Sequence, residues 1–226
     1  MLSGPEAVAA DPRPAAPLRG PAGGKTMPGG FHTSCPLILA SASPRRQRFL
    51  RELGLDFTVA PAAVNEQHRP GESPREYVLR LAGEKALAVA ASRRDAAVLA
   101  ADTIVVLAGE ILGKPADPAH AEAMLASMSG RWHEVWTAYC LCRQADDLLV
   151  KQAVQTRVLF RPLTAELCRA YVLTGEPLDK AGSYGLQGRG GFLVERIEGS
   201  YSNVIGLPVA EVITDLLRFG IIAPHI

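Results

Sequence analysis

Two serines and two arginines, Ser41, Ser43, Arg45 and Arg46, crowd the start of a segment that reads as strand, tight turn and helix. The arginines fall in the first helical turn, where a basic side chain opposes the macrodipole and costs about 0.3–1 kcal/mol if nothing answers it. Free backbone N–H groups, two hydroxyls and two guanidiniums converge there. A bound anion resolves that conflict, and phosphate suits the donor geometry. The plainer alternative makes Ser43 an N-cap and the arginines a solvated face.

Four further residues are out of place for their surroundings. Lys85 follows Leu81 by four residues and Val78 by seven, on an otherwise apolar stripe. It either snorkels to solvent or meets an anion in a cleft. Asp102 stands inside the apolar run Val98 to Leu107. A mid-strand carboxylate there is expensive unless paired, protonated or bound to metal. Lys114 follows in Gly113-Lys114-Pro115, and Glu66 lies in the loop before a long helix. One or two carboxylates plus substrate phosphates is the usual way a protein holds Mg²⁺. The block Asp179-Lys180-Ala-Gly-Ser-Tyr184-Gly-Leu-Gln187-Gly lets backbone approach a ligand, and the Gln187 amide both donates and accepts, which suits a nucleobase edge.

Other motifs carry less. The five histidines do not cluster, and only His133 sits near a candidate segment, where a structural or supporting role is expected. There is no G-x-S-x-G elbow and no persuasive Ser-His-Asp order. Gly23-Gly24-Lys25-Thr26 imitates the end of a P-loop, but the motif's first glycine would fall on Arg19 and no strand precedes it. Cys35, Cys140, Cys142 and Cys168 form no C-x-x-C pair, so reduced, packed thiols of a cytoplasmic protein are expected.

Elements that could position these groups alternate along the chain, which predicts an α/β domain. A buried strand spans Leu37 to Leu39, and Ser43-Pro44 opens a helix that Gly54 stops. Ser73-Pro74-Arg75-Glu76 is a capping box for a helix reaching Ala91. Strands are predicted over Val98 to Leu107, Ile111-Leu112, Val135 to Leu141, Leu148 to Phe160 and Phe192 to Ile197. Asp117-Pro118, Thr164 and Pro208 open three more helices, ending near Ser129, Leu173 and Phe219.

The chain has 226 residues with 24 bases against 23 acids and is 48% hydrophobic, which is ample for a globular core. The near-zero charge argues against a nucleic-acid partner. No run reaches the roughly 18 apolar residues that a membrane helix needs. Residues 1–34 read differently, with 12 Gly or Pro and six Ala and no apolar periodicity. They are expected to be a disordered leader, or extra sequence ahead of a second start at Met27. Setting aside that leader leaves 21 bases and 21 acids, so any positive site must be local.

With these residues in view, the chain resembles the Maf family of nucleotide pyrophosphatases. The blocks are Leu39-Ala-Ser-Ala-Ser-Pro-Arg-Arg46, Leu81-Ala-Gly-Glu-Lys-Ala86, Ala101-Asp-Thr-Ile-Val105, Gly113-Lys-Pro115, Ser129-Gly-Arg131, Asp179 to Gly188 and Gly199-Ser-Tyr-Ser-Asn-Val-Ile-Gly-Leu-Pro208. They run in order through nearly everything after Cys35, making 35–226 the expected domain. The resemblance implies a two-lobed mixed β-sheet with flanking helices, similar to the inosine triphosphate pyrophosphatase fold. It also implies hydrolysis of nucleoside triphosphates to monophosphate and pyrophosphate with a divalent metal, Mg²⁺ or else Mn²⁺ or Co²⁺. Carried over by position, Asp102 is the catalytic acidic residue, Ser41, Ser43, Arg45, Arg46, Lys85 and Lys114 bind phosphate, and Glu66 and Asp102 face the metal. Arg45, Thr103 and Gln187 at the specificity positions resemble the dTTP/UTP branch. The chain departs at Asn65-Glu66, where the family usually carries Asp-Glu. A homodimer is a further expectation from the resemblance. Two readings compete: a nucleotide-sensing regulator of cell division with little catalysis, and a pyrophosphatase of the 7-methyl-GTP branch.

Overall fold

The computed structural model describes residues 30–225. The imitation P-loop and most of the expected leader lie outside them. The leader's last residues do not fit that expectation. Strand β1 (Phe31–Thr33) pairs antiparallel with a strand at the far end of the chain, Ile222–Pro224, and Phe31 packs on the main core. Composition missed β1 because its partner lies almost the whole domain away in sequence.

Most elements follow from local signals. Strand β2 (Leu37–Leu39) is buried, and α1 (Pro44–Glu52) starts on a proline and ends before Gly54, whose φ of 73° supplies the left-handed stop. After the two-residue strand β3 (Thr58–Val59), both halves of the capping box form at the start of α2 (Pro74–Ala90). Strand β4 (Ala97–Leu107) turns back into β5 (Glu110–Leu112) through Ala108 and Gly109, both at positive φ as a tight hairpin of this kind requires. Helix α3 (Pro118–Met128) is capped by Asp117, which accepts the His120 N–H. Strands β6 (Trp132–Arg143) and β7 (Leu148–Phe160) make the long hairpin. Then come α4 (Ala165–Val172), β8 (Val194–Glu198), α5 (Tyr201–Ile205), α6 (Val209–Arg218) and β9 (Ile222–Pro224).

Strand β8 begins two residues later than its apolar pattern predicts, because Phe192 belongs to the 3₁₀ turn Arg189–Leu193. Strand β3 and helix α5 escape sequence reasoning altogether, being two and five residues long and too short for any period to show.

Seven strands form one mixed sheet in the order β3-β2-β4-β6-β7-β8, with β5 also paired to β4. The pairs β2–β3 and β2–β4 are parallel, and the rest are antiparallel. Alternation along β4 divides its apolar side chains. Leu99 and Ala101 pack with residues of α1 and α6, whereas Val98, Ala100 and Ile104 face α2. A third core gathers the far end of β4 with α3, α4, Tyr184 and Leu193. The result is a mixed sheet flanked by helices on both faces.

One feature of the register opens a site. On one side of β4 the pairing with β2 stops at Leu39 opposite Leu99, and pairing with β5 begins only at Val105 opposite Leu112. Between them β4 has no strand neighbour on that edge. The other edge stays paired to β6 throughout.

Candidate functional site

A cavity of about 680 Å³ occupies that gap. Because β4 is uncovered there, Asp102 on its α2 face and Thr103 on the opposite face both border one space. Clefts beyond the ends of parallel strands are where open α/β sheets commonly hold ligands. Ser41, Ser43, Arg45, Arg46, Glu66, Lys85, Asp102, Thr103, Lys114 and Gln187 all line it, although they come from six separate stretches of chain.

Helix α2 answers the cost of the mid-strand carboxylate. Asp102 is only 9% exposed, and the Lys85 ammonium donates to its Oδ1 at 2.6 Å. The same ammonium lies 2.6 Å from Glu66 Oε1. Lys85 therefore takes the cleft alternative, not the snorkelling one. The hydrogen bond from Lys85 holds the Glu66 carboxyl below the ordinary carboxylate range despite its partial burial, with help from the charges of Lys85, Lys114 and Arg46.

The turn before α1 builds the facing wall. The Ser43 hydroxyl makes no capping bond to its own helix, and α1 has no acid in its first turn. The plainer reading of Ser43 as a side-chain cap is thus set aside. Arg46 is held on three sides: Nε donates to the Gly206 carbonyl at 2.8 Å, Nη1 to Ser41 Oγ at 3.0 Å and Nη2 to Thr103 Oγ1 at 3.0 Å. Burial lowers the pKa of that guanidinium, Asp102 opposes the shift, and the like charge of Arg45 adds to it. A partly buried cation beside another cation, at a helix N-terminus, is an environment that favours an anion.

Arg46 and Thr103 thus form a linked pair, while Arg45 faces the charge of Asp179. Thr103 is fixed further by a hydrogen bond with Thr137, which donates or accepts at 3.0 Å and itself binds the Asn203 carbonyl.

Several participants were not singled out from the sequence. Tyr77 lines the cavity and donates its hydroxyl to the Glu66 carbonyl, pinning the loop that carries Glu66. Burial raises the Tyr77 pKa, and the charges of Asp102 and Glu66 raise it further. Asp179 and Lys180 line the cavity too, with the Lys180 ammonium donating to Asp179 Oδ1 at 2.7 Å. Burial works against ionised Asp179, yet the Lys180 hydrogen bond and the charges of Lys180 and Arg45 hold its pKa down. Only the quoted block around Gln187 signalled those two. Tyr77 left no signal, since a tyrosine at a helix start is unremarkable until its hydroxyl is located.

His133 plays the supporting part expected of it. It is 2% exposed, its Nε2 is 2.9 Å from the Tyr184 hydroxyl, and its ring packs edge-on against Phe160 and Tyr184. Burial pushes its pKa down to about 4, so it is neutral at neutral pH.

The donor set fits a hard divalent cation shared with a ligand. Two carboxylates, Glu66 and Asp102, converge on one positive charge at the cavity wall. Among the described residues there is no cluster of three or more metal-binding side chains. Oxygens of a phosphate chain would complete such a coordination shell. The four cysteines are free, and among the described residues no helix is long and apolar enough to cross a membrane.

Comparison with known proteins agrees with the geometry. The dTTP/UTP pyrophosphatase of Geobacter sulfurreducens is 50% identical over 184 residues, covering 81% of this chain and 96% of the relative. That of Myxococcus xanthus is 50% identical over 188 residues, covering 83% and 94%. That of Anaeromyxobacter dehalogenans is 52% identical over 190 residues, covering 83% and 96%. Residues 36–219 match the family described as Maf-like protein, so the chain belongs to the Maf family.

Proposed function

We propose that this protein is a nucleoside triphosphate pyrophosphatase that hydrolyses dTTP and UTP, and modified or non-canonical relatives of them, to the monophosphate and pyrophosphate. The observation that carries the reading is the Lys85–Asp102 pair in the uncovered edge of β4, facing the serine and arginine turn across one cavity. The names of relatives at about half identity over most of the chain point to the same substrates. The fold belongs with the inosine triphosphate pyrophosphatase type, and the enzyme works in the cytoplasm, as a homodimer, with no nucleic-acid partner.

Each group has a task in this reading. Ser41, Ser43, Arg45 and the amides opening α1 hold phosphate oxygens, and Arg46 keeps Ser41 and Thr103 in place. Lys85 aims Asp102, which orients a water and takes its proton as that water's oxygen attacks the anhydride and pyrophosphate leaves. Lys85 and Lys114 answer the charge that grows on the departing oxygens. Glu66 and Asp102 hold a divalent cation, Mg²⁺ or else Mn²⁺ or Co²⁺, which supplies charge neutralisation when bound. The Gln187 amide reads the base edge.

A panel of nucleoside triphosphates assayed for pyrophosphate release with and without Mg²⁺ tests the proposal. Metal-dependent turnover with preference for dTTP and UTP is expected. Tight binding without turnover would favour a sensor, and preference for 7-methyl-GTP would move the protein to another branch.

A further inference from the structure

Gln187 has little of its own to hold it. Its amide makes no hydrogen bond to the described protein, and it sits between Gly185 and Gly188, the latter at φ 91°. The loop is instead gathered onto one acid outside the cavity lining. Glu176 Oε2 accepts the Arg189 N–H at 3.0 Å, and Oε1 accepts the Gly190 N–H at 3.2 Å and the Tyr171 hydroxyl at 2.9 Å. The Tyr171 oxygen in turn accepts the Gly185 N–H at 3.1 Å. Backbone groups on both sides of Gln187 therefore end on a single carboxylate and hydroxyl pair.

The packing leaves no slack. A Cβ on Gly190 would lie 2.5 Å from both the Gly185 carbonyl oxygen and the Tyr171 hydroxyl, and one on Gly188 would lie 3.0 Å from Glu176 Oε2. The clasp also reaches the cavity, because the Lys180 ammonium donates to the Glu176 carbonyl at 2.6 Å. A loop rich in glycine is entropically costly to order, so something must hold it. A carboxylate accepting three donors is a strong anchor for that purpose.

We propose that Glu176, bridged by Tyr171, is a positioning residue for nucleobase selection, setting where the Gln187 amide meets the base without touching substrate itself. The proposal rests on the base-reading role given to Gln187 above.

Steady-state kinetics on dTTP, UTP and two disfavoured nucleotides would compare the full chain with Glu176→Gln, Gln187→Ala and the double variant. In Glu176→Gln one oxygen becomes a donor facing a donor, and loss of a charge-assisted bond predicts a KM for dTTP and UTP raised about tenfold. The kcat should stay within about a factor of two, since Asp102 and Lys85 are untouched, and the disfavoured nucleotides should change little. In the Gln187→Ala background Glu176→Gln should cost no further selectivity. Full additivity of the two losses, or an equal fall of kcat/KM for every nucleotide, would overturn the proposal. Unchanged selectivity in Gln187→Ala alone would instead overturn the base-reading role, and the proposal with it. Tyr171→Phe nearly conserves volume and removes only the bridge; it should shift KM the same way by less, and a shift in kcat alone would count against the clasp.

Discussion

At the scale of single residues, the site is a set of charges that are costly apart and mutually satisfied together. Asp102 buried without Lys85 would have to be protonated or unpaired, and Lys85 buried without Asp102 and Glu66 would be an isolated cation. Asp102→Asn preserves the shape and one acceptor while removing the proton acceptor. Hydrolysis should fall by a factor on the order of 10²–10⁴, with affinity for a non-hydrolysable nucleotide analogue kept. Calorimetric binding alongside a pyrophosphate-release assay checks both halves, and near-normal turnover would end the assignment of Asp102. The residue types and their anomalous positions were legible in the sequence, because a charge in an apolar run stands out without coordinates. Which group meets which was not, as the contacts of Arg46 with Thr103 and of Lys85 with both Glu66 and Asp102 show.

At the scale of elements, strand and helix ends aim these side chains. Helix α2 presents Lys85 from its middle, and its start is secured by Ser73, whose Oγ accepts the Glu76 N–H while Glu76 returns a bond to the Ser73 N–H. Ser73→Ala should cost about 1 kcal/mol of stability, read as a lower urea midpoint with an unchanged slope. An unaltered midpoint would mean that packing against β4 and β6, not the cap, fixes this end. Capping signals are local in sequence, which is why α1, α2, α3 and α4 could be bounded to within a residue or two. Elements made by distant partners, such as β1 against β9, left no such trace.

For the molecule as a whole, the third core holds the wall that carries the Gln187 loop, and the buried His133 packs against its Phe160 and Tyr184. Burial depresses this imidazole from 6.5 to about 4 in the folded state. Between those values the unfolded chain binds the proton and the folded chain does not, so stability falls as pH drops through that window and the contribution levels off below about 4. The depression corresponds to about 3 kcal/mol. His133→Gln should therefore show a flatter dependence of unfolding free energy on pH between 6.5 and 4 than the parent protein. Denaturant titrations at pH 7, 5.5 and 4.5 measure the difference, and parallel curves would assign the acid sensitivity to other groups.

By itself the sequence determined the α/β alternation, the ends of the main helices and the chemical character of the site. Those properties depend on neighbours within a few positions, through periodicity, capping and the expense of a misplaced charge. Only the tertiary structure decided that β2 would leave β4 at Leu39 and that β5 would not join it until Leu112. That register opens one edge of the strand, lets Asp102 and Thr103 border a common space from opposite faces, and brings Lys85 and Glu66 to it from separate elements. Pairing between strands far apart in the chain is set by whole-sheet packing, which no local window of sequence contains.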